Sequence, residues 1–418
     1  MSKKKAAIII FVLAVTVRLF YVVIVTHAPL VTDDKEYDRL GLLLSQGKGY
    51  VNSLGEPTAF RPPIYPLFLG AIYYIAGHDL IWVRLMQAIL GAGICVLVYL
   101  IATTIFDKMI GSLSGYLCCC YPPLIVSTSQ ILTETLFIFL LLLGILLVIS
   151  RNSYVNLMIS GFIFGLALLT RPFLIFFFPF LFYWILLNNK YNSLKAMAIL
   201  ITSILLILSP WTLRNYYRLH SFVPFANLGG LALYNSYVVP KKGFGFISLE
   251  GIDDEYYKIK DEPKRNKYLI RKSIEYIREN PIKAIALTKI KLLLFTYPFD
   301  GYWYPISFGS KYNVFWGIIL WFSALGIAIN LRDNDINKKL IYFLFISFLI
   351  GIMVFYGSPR FRLPVEPLLI CFAASGVIRL SKKNIYASSM IVFINVMLFT
   401  IFRYFKLQEL FDYLKDRM

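Results

Sequence analysis

Apolar runs about as long as a bilayer-crossing helix recur from one end of this 418-residue chain to the other. No other feature limits its fold so tightly, because a helix needs about 17–25 apolar residues to cross the hydrocarbon of a membrane. Candidate spans fall at 6–26, 81–105, 111–128, 131–149, 154–170, 173–187, 196–211, 314–331, 340–356, 365–380 and 386–403. Residues 64–77 are apolar but too short to cross, and read as an interfacial helix. Residues 284–300 are interrupted by Lys289 and Lys291 and read as lying on or dipping into the outer surface.

Composition agrees with many spans. Hydrophobic residues make up 58% of the chain and charged ones only 16%, too few charges for a soluble domain of this size. The formal net charge of +19 would suggest nucleic acid in a soluble protein. Here the basic residues sit mostly between apolar runs, where anionic head groups and phosphorylated lipid substrates account for them better. The basic start, MSKKK, precedes a run too long for a secretory leader and reads as a retained first span. Cys95, Cys118, Cys119, Cys120 and Cys371 all lie in apolar runs and form neither a disulfide framework nor a zinc pattern. They read as small packing residues.

Lysine and arginine in short loops set the orientation. Lys3 to Lys5, Lys108, Arg151, Lys190 with Lys195, Arg332 with Lys338 and Lys339, and Arg379 with Lys382 and Lys383 fall on one side, which is then cytoplasmic. The chain divides accordingly: a first span (1–26), an external loop with an interfacial helix (27–80), a block of spans (81–211), a second external loop (212–313), further spans (314–403) and a tail (404–418). The pair Gly161 and Gly165 reads as a close helix contact within a span.

Charge beside the hydrocarbon costs several kcal/mol, so each such residue asks for a reason. Asp33 and Asp34 open the first external loop, and Arg61 follows in PTAFRPPIYP. Glu134 stands at the outer start of a span, Arg171 and Arg214 at outer ends, and Arg360 and Arg362 in the turn YGSPRFRLPVEP. Arg18 lies inside the first span, where a snorkelling side chain is the plain reading. Taken one at a time, the others read as solvated loop residues, helix N-terminal acids or interfacial anchors. Together they map to one membrane face, with basic groups in excess, as a site for an anion with a few carboxylates left for chemistry would require. A nucleotide-binding loop, a zinc-hydrolase motif and a serine-hydrolase elbow are all missing from the sequence.

Several strings in this order resemble the GT-C superfamily of glycosyltransferases that use polyprenyl-phosphate sugars: Asp33-Asp34 followed by Tyr37, LGLLLSQGKGY, PTAFRPPIYPLFLGAIY, LTETLF, GLALLTRP, PWTLRNYYRLHSFVP and RFRLPVEPLLI. The likeness is greatest to the group of lipid A aminoarabinose transferases and protein O-mannosyltransferases. It implies an all-α integral membrane protein, a bundle of about eleven to thirteen transmembrane helices with interfacial helices on its outer face. It implies inverting transfer from the lipid-linked donor to a lipid, cell-envelope glycan or protein, at the extracytoplasmic side of the plasma (inner) membrane.

By the same resemblance Asp33, with Asp34 beside it, is the catalytic carboxylate, and Arg61 holds the lipid phosphate. Tyr37, Glu134, Arg171, Arg214, Arg360 and Arg362 complete the expected substrate-binding set. The Asp-Pro pair of the protein mannosyltransferases is absent beside Glu134, which puts protein mannosylation in doubt. No cofactor is demanded, and a carboxylate-bound divalent ion, as in some relatives, is compatible with the sequence. A transporter or lipid flippase would instead place polar groups near the midplane in two related halves. A polymerase or ligase using pyrophosphate-linked donors would carry an arginine-rich external loop, and the acidic pair in the first loop argues against it.

Overall fold

The computed structural model describes residues 2–25, 30, 33–150, 153–188, 191–239, 249, 251–296, 314–355, 357 and 359–380. The expected span at 386–403 and the tail at 404–418 lie outside them. Among the described residues the chain is helical throughout, and its β-structure is one isolated bridge between Val51 and Pro57.

The first helix, α1 (Lys3–Val25), precedes two shorter ones, α2 (Asp33–Ser45) and α3 (Ile64–Ala76). A run of apolar helices follows: α4 (Leu80–Ile105), α5 (Lys108–Cys119), α6 (Pro122–Ser127), α7 (Glu134–Ser150), α8 (Tyr154–Leu168), α9 (Phe178–Leu187) and α10 (Ser193–Leu219). The next group is shorter or more polar: α11 (Gly229–Tyr237), α12 (Asp254–Lys258), α13 (Glu262–Glu279) and α14 (Pro281–Thr296). Three apolar helices close the described part: α15 (Val314–Asn330), α16 (Ile336–Val354) and α17 (Glu366–Ile378). By length and composition α1, α4, α10 and α16 can each cross a membrane, and the other apolar helices are shorter.

Helices and candidate spans coincide closely, with three local differences. The run at 111–128 is two helices, because Pro122 and Pro123 follow the Cys120–Tyr121 break and Pro122 has no amide proton to continue α5. The run at 173–187 opens as a 3-10 turn, Pro172–Phe177. Helix α10 runs through Pro210 to Leu219, beyond the end of the run at 196–211. Pro210 cannot donate to the Leu206 carbonyl, and the Ser209 hydroxyl takes that place at 3.0 Å.

Among the described residues the largest apolar cluster has α4 at its centre, packed against α1, α5 and α7, and two small clusters lie among α11 to α14. Helix α7 packs on α8 and α8 on α10. The α8–α10 contact uses the expected glycine pair: a Cβ on Gly161 would meet Ser203 Cβ at 2.6 Å, and one on Gly165 would meet Ile207 Cβ at 2.8 Å. Helices α15 and α17 pack through Gly326 and Gly376, where any side chain on either glycine would run into the backbone of the other helix. Of the five cysteines only Cys120 is exposed. Arg18 does not reach for the end of α1. It is fully buried against α4, donates to the Ala14 carbonyl at 3.2 Å and to Cys95 Sγ at 3.4 Å, and occupies space that a side chain at Gly91 would need.

Candidate active site

Five separate segments deliver charged side chains to one end of this bundle. Asp33 and Glu36 stand in the first turn of α2, and Glu134 in the first turn of α7. Helix N-termini favour acids through their exposed N–H groups and macrodipole. Arg61 comes from the irregular stretch between α2 and α3, and Arg171 from the residue that opens the 3-10 turn Pro172–Phe177. Arg360 sits in the 3-10 turn Pro359–Phe361 ahead of α17.

These six groups form a line of alternating sign. Glu36 accepts from Arg61 Nε at 2.7 Å, and the Arg61 terminal nitrogen reaches Asp33 Oδ1 at 2.8 Å. The other Asp33 oxygen accepts from Arg360 Nη1 at 2.8 Å. Arg360 Nε donates to Glu134, and Arg171 donates to the same Glu134 oxygen at 2.9 Å. The three acids differ in exposure: the Glu134 side chain is 1% exposed, Asp33 23% and Glu36 30%. The Glu134 end is therefore the closed floor and the Asp33–Glu36 end the open mouth.

Aromatic rings carry the guanidinium planes. Arg61 lies 5.2 Å from the Tyr37 ring centroid and 5.4 Å from that of Phe60. Arg171 lies 5.3 Å from Phe361 and 5.9 Å from Phe137. Buried charges of this kind persist only when each faces an opposite charge or a polar partner. Burial by itself would raise the Asp33 pKa, but Arg61 and Arg360 outweigh it and hold the carboxyl well below the usual carboxylate range. Burial also opposes the charge on Arg360, and Glu134 and Asp33 reverse that and keep it firmly protonated.

The remaining expected residues sit around this line rather than in it. Asp34 shares the α2 first turn and accepts from the Lys35 amide at 3.0 Å. Arg214 braces the loop that bears Arg61: it donates to the Thr58 and Tyr50 carbonyls, each at 2.6 Å, and stacks on Trp211 at 5.0 Å. Arg362 turns away from its neighbour Arg360. It is 1% exposed, pairs with Glu366 at 2.7 Å and lies 4.3 Å over the Trp316 ring.

Two acids that sequence reasoning passed over belong to the site. Glu36 lies one helical turn after Asp33, and that spacing was its available signal. Glu262 opens α13 and accepts from the Ala59 amide at 2.9 Å, Thr58 Oγ1 at 2.5 Å and Asn227 Nδ2 at 2.8 Å. The Asn227 amide in turn donates to the Ala59 carbonyl at 2.8 Å. The stretch at 58–61 is thus clamped by α10 through Arg214 and by α13 through Glu262. Among the described residues no group of three or more His, Cys, Asp and Glu is arranged to hold a metal ion. Asp33, Glu36 and Glu134 already serve guanidinium groups, so the residues present do not fit an ion.

The same arrangement of helices occurs in solved proteins. ArnT from Cupriavidus metallidurans, crystallised with undecaprenyl phosphate, superposes with a TM-score of 0.59 over 91% of this chain at 13% identity. The two proteins share one fold. The oligosaccharyltransferase AglB from Archaeoglobus fulgidus, in complex with an inhibitory peptide and a dolichol-phosphate, shares the same fold with a TM-score of 0.56 over 95% of the chain at 12% identity. The chain spans 62% of the length of the first protein and 54% of the second. In sequence, the profile of the dolichyl-phosphate-mannose-protein mannosyltransferase family matches residues 60–213, a stretch that contains Arg61, Glu134 and Arg171. No curated protein matches the chain in sequence.

Proposed function

We propose that this chain transfers a sugar from a polyprenyl-phosphate-linked donor to a hydroxyl of a lipid, cell-envelope glycan or protein acceptor. The observation that carries the reading is Asp33 at the open mouth of the site, flanked on both sides by arginines. One group there can take a proton, and its neighbours can hold a phosphate. The polyprenyl phosphates bound in the ArnT and AglB structures support a donor of that class.

In this reading Asp33 accepts the proton of the acceptor hydroxyl as its oxygen attacks the anomeric carbon. The attack comes from the face opposite the phosphate, so the configuration inverts. The bond between that carbon and the phosphate oxygen breaks, and the electron pair leaves on the lipid phosphate. Arg61, Arg360 and Arg171 stabilise the charge that develops there, in a partly desolvated site where such contacts are strongest. Glu262 and Arg214 fix the loop that presents Arg61. Apolar helices bring the lipid-borne donor to the site along the membrane, and we assign that site to the extracytoplasmic side of the plasma membrane.

The test is sugar transfer by purified protein from a panel of polyprenyl-phosphate sugars. Wild type should transfer from at least one donor, and Asp33→Asn should lose at least about a hundredfold in rate, the usual scale for removing a general base. Transfer by Asp33→Asn at the wild-type rate would remove Asp33 from the mechanism.

A further inference from the structure

The charge line is balanced before any substrate arrives. Asp33, Glu36 and Glu134 face Arg61, Arg171 and Arg360, three charges of each sign. An entering phosphate adds negative charge to a set that is already neutral. Arg61 and Arg360 each already hold two carboxylates, so the phosphate competes with those acids for the same guanidinium groups. The neighbouring acids repel an added anion, and a carboxylate that gives way relieves that repulsion.

Exposure says which carboxylate yields. Glu134 is closed off at 1% exposure and holds Arg171 and Arg360 from behind, with Phe137 and Phe361 against Arg171. Asp33, at 23% exposure, lies on the open side of Arg360 and uses its two oxygens on two different arginines. Of the two carboxylates on Arg360, a ligand entering from the mouth meets Asp33 before Glu134. On this basis, and resting on the donor class proposed above, we infer that the lipid phosphate displaces Asp33 from Arg360, while Glu134 stays as the fixed support that keeps Arg360 aimed. Donor binding then frees the base: the same exchange that seats the phosphate releases Asp33 toward the acceptor. Until the donor is present Asp33 is pinned by two cations and is a poor proton acceptor, so the donor binds first and the acceptor second.

The two acids should therefore act on donor affinity in opposite directions. Undecaprenyl phosphate binding to detergent-purified full-length protein would be titrated for wild type, Asp33→Asn and Glu134→Gln, with thermal melting of each to confirm folding. Asp33→Asn removes a competitor for Arg360 and should bind the lipid several-fold to about tenfold more tightly, although it is the inactive variant. Glu134→Gln removes the support and should bind several-fold more weakly. If Asp33→Asn binds equally or less tightly while wild type binds well, the displacement is wrong and the donor class stands. If wild type does not bind the lipid at all, it is the donor class that falls. Asp33→Ser, which lacks the Asn side-chain amide, repeats the first arm should Asp33→Asn melt early. Inorganic phosphate at the same concentrations should leave the lipid titrations unshifted; equal competition by it would mean a free-anion site and would overturn the lipid exchange.

Discussion

Opposite ends of the same helices hold two polar clusters that solve burial in different ways. At one end of α16 and α17, Arg360 joins a line of six alternating charges drawn from five segments. At the other end, Lys338 and Arg379 share a single neutral group. Both donate to Asn330 Oδ1 at 3.0 Å, while Asn330 Nδ2 donates to Gly326 O and Ser375 Oγ. Lys338 also reaches the half-exposed Asp333 at 2.5 Å, and both cations lie over the Phe106 ring. The second cluster ties together α15, α16 and α17 and offers no buried acid to a ligand. The first spends several buried ion pairs on residues far apart in sequence, an arrangement that seldom repays its desolvation cost in stability. Polar groups gathered from afar at such cost signal chemistry, and an amide shared by adjacent helix ends signals assembly.

That contrast can be broken by mutation, and the largest expected effect is Asp33→Asn. It should cut transfer by at least about a hundredfold per folded molecule, as read by donor turnover beside a thermal melt. Next comes Arg360→Ala, which strips the base and the floor carboxylate of a common partner. Turnover should fall by about tenfold or more, and Arg360→Lys should restore little of it, because an ammonium cannot serve two carboxylates with a fixed fork. Glu262→Ala should be milder. It releases the loop that bears Arg61, so KM for the donor should rise roughly tenfold or less while kcat holds. Asn330→Ala should reverse the pattern, destabilising the protein by about 1–3 kcal/mol through two cations left short of an acceptor. Its turnover per folded molecule should match wild type, and a loss of turnover equal to that of the mouth variants would erase the distinction. The smallest effect concerns pH. The folded-state pKa of Asp33 is depressed, so its contribution to stability is present above the ordinary aspartate pKa of about 4 and is lost as pH falls through the folded value. Asp33→Asn should flatten the acid limb of the melting curve.

Much of the architecture was legible because membrane spans write themselves in hydropathy. Helices α1, α4, α7, α8, α15, α16 and α17 lie within a few residues of the apolar runs. The run at 111–128 looked continuous because Pro122 and Pro123 are apolar by composition and breakers only by geometry. At the candidate site, Asp33, Arg61, Glu134, Arg171 and Arg360 stood out as charges in costly places. What the sequence could not separate was Arg360 from Arg362. They lie two residues apart in one turn, and only the path of the 3-10 backbone sends the first to Glu134 and the second to Glu366. Glu262 was hidden for another reason. Its partner Thr58 lies 204 residues away, and an acid opening a helix has an ordinary explanation in the helix dipole.

The crossing of α15 and α17 has a mechanical consequence. With Gly326 and Gly376 letting backbone touch backbone, these helices cannot slide past one another without losing their closest contact. They behave as a single slab, and any relative motion among the described helices belongs elsewhere in the bundle. A methyl group at Gly326 would wedge the slab apart from below, and its cost would be read as a loosened bundle rather than a slower reaction.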